Sequence, residues 1–282
     1  MDDVVGRVAV VTGAGSGMGR AMAERFGAAG MRVVVSDIDL PAAQSVAGAI
    51  IAAGAEAVAV RTDVSHVTEI RELATATLDA FGHVHVVCNN AGVALGGRVD
   101  ELTDDEWRWM LEVDLWSAIH GVRVFLPLLE TQGEGHIVST ASVAGMGAPP
   151  LMAPYAVAKA GVIALMESLR RELEMRSSPV GASVLCPSSV NTALMTESAK
   201  HAAVIGNRSN TSAGDTFIRA AGVALARTGI EPSDVAELVL DAILADRFWI
   251  ITHPEWADLL RLRVEKMMQD GSLADRPNPP DL

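Results

Sequence analysis

The sequence has a single tyrosine, Tyr155, and only three lysines, Lys159, Lys200 and Lys266, in 282 residues. Aromatic residues make up 4% of it, too few for the stacking platforms that bind single-stranded nucleic acid. Cysteine is almost absent. Cys88 and Cys186 lie far apart, each within an apolar run. They form neither a disulfide framework nor a metal-ligand spacing and read as reduced core thiols. Positive charge is also scarce: 22 Lys and Arg against 35 Asp and Glu leave a net charge of −13. Such a surface repels phosphate backbones and anionic lipid. No apolar run reaches the ~18 residues of a membrane helix. The acidic start, MDDVVGR, leads into a strand pattern and not a signal peptide. The expectation is a soluble, cytoplasmic protein with no metal and with neither nucleic acid nor membrane as partner.

Half the residues are apolar, enough to bury a sizeable core. Short β-branched runs at 8–11, 32–36, 57–60, 84–88, 136–139, 183–186 and 248–251 lack polar alternation, as strands covered on both faces do. Between them lie amphipathic stretches at 18–29, 41–53, 67–81, 104–129, 153–176 and 232–245. This alternation predicts an α/β fold, a doubly wound parallel sheet of about seven strands with helices on both faces. No linker, repeat or break in composition divides residues 1–282, so one domain is expected. One connection is long, at about 188–230. It carries a helical pattern at 216–227 and a polar middle of small residues, as a substrate lid does. A last helix at 253–269 precedes a proline-rich tail ending at 282.

After the first strand stands Thr12-Gly13-Ala14-Gly15-Ser16-Gly17-Met18-Gly19, followed at once by a helix. Glycines let a pyrophosphate approach the backbone, and the helix N-terminus offers N–H groups and a positive dipole end. The spacing is TGxxxGxG and not GxGxxG, because Met18 occupies the third glycine's place. A plain strand-to-helix turn is the competing reading of this loop taken alone. Asp37 ends the second strand, close to the spacing of a carboxylate that bonds the adenosine ribose. Its charge would repel a 2′-phosphate, and Ser16 puts nothing basic in the loop, so NAD is favoured over NADP. Alternatively Asp37 caps the next helix, a role open equally to Asp39.

The ordered set of TGAGSGMG, Asn89-Asn90-Ala91-Gly92, Ser142, Tyr155-x-x-x-Lys159 and Pro187-x-x-Val190-x-Thr192 resembles the classical short-chain dehydrogenases/reductases over roughly residues 5 to 250. The resemblance implies a Rossmann-type fold. It makes Thr12 to Gly19 the phosphate-binding turn, and Asp37 with Ile38 the ribose corner of NAD-preferring members. It sets Asp63 and Val64 beside the adenine, and Asn90, Ala91 and Gly92 along the nucleotide. Pro187, Val190 and Thr192 would hold the nicotinamide end. Ser142, Tyr155 and Lys159 would be catalytic. It also implies a homodimer or homotetramer, with the helices at 104–129 and 153–176 packed across a dimer axis. Two positions depart from the family. Asp114 stands where the family's first catalytic asparagine is usual, and Ser188 replaces the usual glycine after Pro187. The Asp114 carboxylate or carbonyl can still hold a water, and its charge favours a protonated Lys159.

The chemistry explains these residue types. A hydride leaving a carbinol carbon needs a partner for the hydroxyl proton, and Tyr155 is the candidate. Bringing a phenol from its usual pKa of about 10 to near 7 takes ~4 kcal/mol. An ammonium one helical turn away supplies part of that, and a bound nicotinamide cation more. With three lysines in the chain, one falls four places after the sole tyrosine by chance about once in a hundred. Ser142 would donate to the substrate oxygen. The expected walls, 93–95, 145–152 and Leu194-Met195, are apolar, which suits a small apolar secondary alcohol or ketone. His83 and His85 flank a strand, His120 reads as a packed core histidine, and Trp107 and Trp109 as packing or interface residues. The function expected is an NAD-dependent oxidoreductase of such alcohols. An NADPH-dependent ketoreductase and a non-catalytic dinucleotide sensor are the alternatives.

Overall fold

The computed structural model describes residues 1, 3–205 and 213–273. The tail and part of the polar stretch within 188–230 therefore lie outside the described residues. Seven parallel strands form one sheet in the order β3-β2-β1-β4-β5-β6-β7. They are β1 (Val8–Thr12), β2 (Arg32–Asp37), β3 (Ala57–Arg61), β4 (Val86–Asn89), β5 (Gly135–Thr140), β6 (Val180–Cys186) and β7 (Trp249–Ile251). The helices are α1 (Gly17–Ala28), α2 (Leu40–Ala52), α3 (Val67–Phe81), α4 (Asp104–Leu111), α5 (Ser117–Gln132), α6 (Val143–Gly147), α7 (Ala153–Met175), α8 (Leu194–Ile205), α9 (Ala213–Thr228), α10 (Pro232–Leu244) and α11 (Trp256–Gln269). The expected doubly wound, Rossmann-type sheet is observed.

Strand β1 shows why the apolar runs lack polar alternation. Ala9 and Val11 face one core, shared with Met22, Phe26, Ile50 and Ile243 of α1, α2 and α10. Val8 and Val10 face the other, shared with Leu73, Phe125, Leu129 and Met166 of α3, α5 and α7. Side chains alternate across the sheet, but both faces are covered, so both registers must be apolar. Each large buried side chain stabilises the fold by roughly 1.5–3 kcal/mol. The strand order reverses between β1 and β4. The loops leaving their carboxyl ends diverge there and open the crevice in which such sheets bind ligands.

Two elements differ from the expectation. The stretch at 104–129 is helical throughout and runs on to Gln132, but it is not uniformly α-helical. A capping box between Thr103 and Glu106 starts α4, a π-helical turn spans Glu112–Trp116, and α5 follows. The wider turn inserts a residue into the helical ladder and changes which side chains face inward. The connection at 188–230 holds two helices, and α8 is the unexpected one. It runs through the apolar pair Leu194 and Met195, and the buried Ser198 hydroxyl accepts the Ala94 N–H at 2.9 Å. That contact comes from another part of the chain and leaves no trace in local periodicity.

His85 and His136 are buried and hydrogen-bonded within the fold. His85 is buried at the sheet's amino end, where its Nδ1 accepts the Val8 N–H at 3.0 Å. His120 is only half-buried, short of the core position expected, and its ring stacks on Trp116 at 5.5 Å. Among the described residues no group of His, Cys, Asp or Glu could hold a metal ion. His136 is fully buried in β5. Its Nε2 lies 2.7 Å from the Ser183 hydroxyl, which itself donates to the Arg247 carbonyl. Burial lowers the His136 pKa to about 4, with the nearby Asp246 opposing. The unfolded chain takes up this proton near pH 6.5, the folded protein only near 4. Stability is therefore full above pH 6.5 and falls as pH drops through that window, by about 3 kcal/mol for this group. Thermal melts from pH 7 to 4 should show a smaller loss in His136→Gln than in the wild type. Parallel losses would refute the assignment.

Candidate active site

A cavity of about 480 Å³ opens at the switch point and extends from Asp37 to Tyr155. Its size suits a cofactor site. The glycine loop forms one wall. Gly13 has φ +64°, and a Cβ there would come within 2.8 Å of the Ala91 Cα. A Cβ on Gly19 would lie 2.1 Å from the Gly13 carbonyl oxygen. Only bare backbone lets this loop lie on the β4 loop and leaves Ser16, Gly17, Met18 and Gly19 at the cavity wall, where α1 begins. Thr12 alone among the expected cofactor residues does not line the cavity. Its buried hydroxyl donates to the Cys88 carbonyl and accepts the N–H groups of Asn90 and Ala91. Thr12 thus holds the β1 and β4 loops together from behind the cavity wall.

At the far end Asp37 Oδ2 accepts the Gly15 N–H at 2.8 Å, and Oδ1 accepts the Asp39 N–H at 2.9 Å. The cap of α2 is Asp39, which accepts the Ala42 N–H. Asp37 is thereby left at the cavity wall, beside Ile38, Asp63 and Val64. Asn90, Ala91 and Gly92 line the middle, and Pro187, Val190 and Thr192 the other side. Ser188 also lines it, and its N–H donates to Thr252 Oγ1 at 3.1 Å, which ties the β6 loop to the end of β7.

Tyr155, Lys159, Ser142 and Asp114 converge at the opposite end, and all four are buried. The helix α7 places Tyr155 and Lys159 one turn apart on its inner face. Lys159 Nζ donates to the Thr140 carbonyl at 3.0 Å and lies 3.0 Å from Asp114 Oδ2. It sits 5.6 Å from the centre of the Tyr155 ring. Asp114 Oδ1 accepts the Val93 N–H at 2.7 Å. Burial disfavours the Lys159 ammonium, but the Asp114 carboxylate outweighs it, and Lys159 is held above its usual range. Burial also pushes the Asp114 carboxyl up, opposed by Lys159 and the Val93 N–H. The Val93 N–H on Oδ1 and the Lys159 ammonium 3.0 Å from Oδ2 both favour the carboxylate, and the pair is ionised. Burial raises the Tyr155 phenol above its ordinary range. Lys159 opposes this, Asp114 adds to it, and a hydrogen bond with Ser142 opposes it. The protein's own groups therefore do not bring Tyr155 down towards neutrality.

Of the expected apolar walls, Val93, Met152, Leu194 and Met195 line the cavity, whereas Ala94, Leu95 and Gly145 do not. Trp109 does line it, although sequence reasoning assigned it to packing. The available signal was its i, i+4 relation to Val113, another wall residue next to Asp114.

The combination of this parallel sheet, glycine loop and buried Tyr-Lys pair defines a dinucleotide-dependent oxidoreductase. The chain belongs to the short-chain dehydrogenase family, whose model matches residues 7–203. It is 34% identical over 270 residues to 1-deoxy-11-beta-hydroxypentalenate dehydrogenase of Streptomyces exfoliatus, covering 95% of this chain and 90% of that one. It is 29% identical over 278 residues to the CLA biosynthesis dehydrogenase/reductase of Lactiplantibacillus plantarum, covering 96% of each. Among solved structures it is similar to a short chain dehydrogenase/reductase from Burkholderia phymatum in complex with NAD. The TM-score is 0.94 at 39% identity, over 99% of this chain and 100% of that chain. A metagenomic short-chain oxidoreductase in complex with NADP matches with TM-score 0.69 at 31% identity, over 88% of this chain and 96% of that one.

Proposed function

We propose that the protein is an NAD-dependent oxidoreductase that interconverts an apolar secondary alcohol and its ketone, with Tyr155 as general acid and base. The observation that carries this reading is the single cavity with Tyr155, Ser142 and Lys159 at one end and Asp37 at the other. When bound, NAD supplies the hydride acceptor. The bare glycine loop leaves room for its pyrophosphate, and the half-buried Asp37 carboxylate faces the ribose, where a 2′-phosphate would meet a like charge. Ile38, Asp63 and Val64 hold the adenine end; Asn90, Ala91, Gly92, Lys159, Pro187, Val190 and Thr192 hold the nicotinamide half. Ser142 orients the substrate oxygen. Tyr155 takes the hydroxyl proton in oxidation and returns it in reduction. Lys159, seated between Asp114 and the Thr140 carbonyl, carries charge beside it. Val93, Trp109, Met152, Leu194 and Met195 give the substrate an apolar surround, and the connection after β6, through the start of α8, acts as its lid. Trp116 and Val157, both about half exposed, are the apolar residues we assign to a dimer face.

A screen of secondary alcohols with NAD⁺, following NADH absorbance, tests the activity. Once a substrate is found, the wild type should prefer NADH to NADPH, and Asp37→Ala should lower that preference by roughly 10²-fold. The NADP-bound relative gives the other outcome its weight: tighter use of NADPH by the wild type overturns the ribose assignment.

A further inference from the structure

The Asp114–Lys159 ion pair lies at the floor of the cavity with side-chain exposures of 0% and 5%. It is built in from three sides. The π-helical turn Glu112–Trp116 turns Asp114 inward, the Val93 N–H fixes one carboxylate oxygen, and the Thr140 carbonyl fixes the ammonium. Gly92 covers the pair: a Cβ there would lie 3.3 Å from Asp114 Oδ2 and 3.4 Å from Lys159 Nζ. A side chain there would press on both charged groups, so glycine lets the β4 loop lie close over them.

We propose that Asp114 is a positioning residue that sets the pH range of the reaction: its carboxylate, locked against Lys159, retains the protons of the Tyr155–Lys159 couple to higher pH than a neutral side chain would, and so extends carbonyl reduction into alkaline solution. This rests on the catalytic reading of Tyr155 above. Reduction needs the fully protonated couple, because Tyr155 must deliver a proton while Lys159 keeps its charge. The groups facing the couple are few. Asp114 comes from the π turn, Ser142 and the Thr140 carbonyl from the end of β5, and the Cys186 thiol from β6. Burial pushes the Cys186 thiol up to about 12, so it is neutral across the working range. Asp114 is thus the only anion against the pair among the described residues. A carboxylate in a poorly solvated site stabilises every proton near it, and the couple loses its first proton later.

The single tyrosine makes the test direct. Tyrosine isotope-labelled at the phenol carbon gives one NMR resonance, and labelled lysine gives three. Both are titrated in wild type and Asp114→Asn, in the free protein and with NAD⁺. In Asp114→Asn the first proton should leave the Tyr155–Lys159 couple at a pH lower by about one unit or more. Asp114→Glu, which keeps the charge, should stay closer to the wild type. The alkaline limb of kcat/KM for ketone reduction should move down with the titration. An unmoved or raised first step in a folded Asp114→Asn overturns the inference. If that variant does not fold, Asp114→Ser, with room for a water between Val93 and Lys159, carries the same expectation and the same refutation. If Tyr155→Phe keeps full activity, the catalytic reading itself fails; if Tyr155→Phe is inactive while the titration stays put, only the inference about Asp114 falls.

Discussion

Tyr155→Phe should lower turnover of a confirmed substrate by roughly 10²–10⁴-fold, the range general acid–base catalysis supplies. The ring stays, so the buried contacts beside Met152 and Ala144 stay with it. What is lost is the phenol proposed to exchange a proton with the substrate oxygen while Lys159 remains an ammonium. NAD binding should change little, because the residues proposed to hold it at Asp37, Gly13 to Gly19 and Asn90 are untouched. Calorimetric NAD titration beside steady-state kinetics checks this. Loss of binding in step with activity would show that the phenol organises the cavity and does not carry the proton. Wild-type turnover would remove Tyr155 from the mechanism.

Lys159→Met should both inactivate the protein and destabilise it. It removes one member of a buried ion pair and leaves the Asp114 carboxylate at 0% exposure with only the Val93 N–H on it. Breaking such a pair costs about 3–5 kcal/mol, whereas replacing both members by apolar groups is often close to neutral. The melting temperature of Lys159→Met should fall by roughly 10 °C at neutral pH. The double variant Lys159→Met/Asp114→Leu should recover much of that loss without recovering activity. Circular dichroism melts of the three proteins decide it. If the single variant melts with the wild type, the pair is not the buried, ionised contact argued for here. If the double variant melts lower than the single, the carboxylate is anchored by the Val93 N–H more than by the lysine.

How far the sequence could be read depends on the range of each interaction. The strands were legible because covering both faces of a sheet forces apolar residues into both registers, as Val8 to Val11 show. Tyr155 and Lys159 were legible because four positions on a helix is a local relation. The glycine loop was legible as a turn, but not the reason for Gly13, which is the approach of Ala91 from a loop nearly eighty positions away. Helix α8 was missed because Ser198 meets Ala94 across the fold. Trp109 packs against the cluster around Tyr155, as expected, but its place on the cavity wall was not legible because a wall residue and a core residue share the same periodicity.

The sequence by itself determined the alternation of strands and helices, the net negative charge, the glycine turn before α1 and the spacing of the phenol and the ammonium. All of these are set by contacts within a few turns of the chain or by composition. Tertiary structure alone decided that Asp37 lines the cavity while Asp39 caps α2, that Thr12 joins two loops, and that Asp114 meets Lys159 at 3.0 Å. The last of these hangs on one π turn that swings a carboxylate inward and on Gly92, which leaves room for it. Neither leaves a periodic signal, because each is settled by what packs against it from elsewhere in the fold.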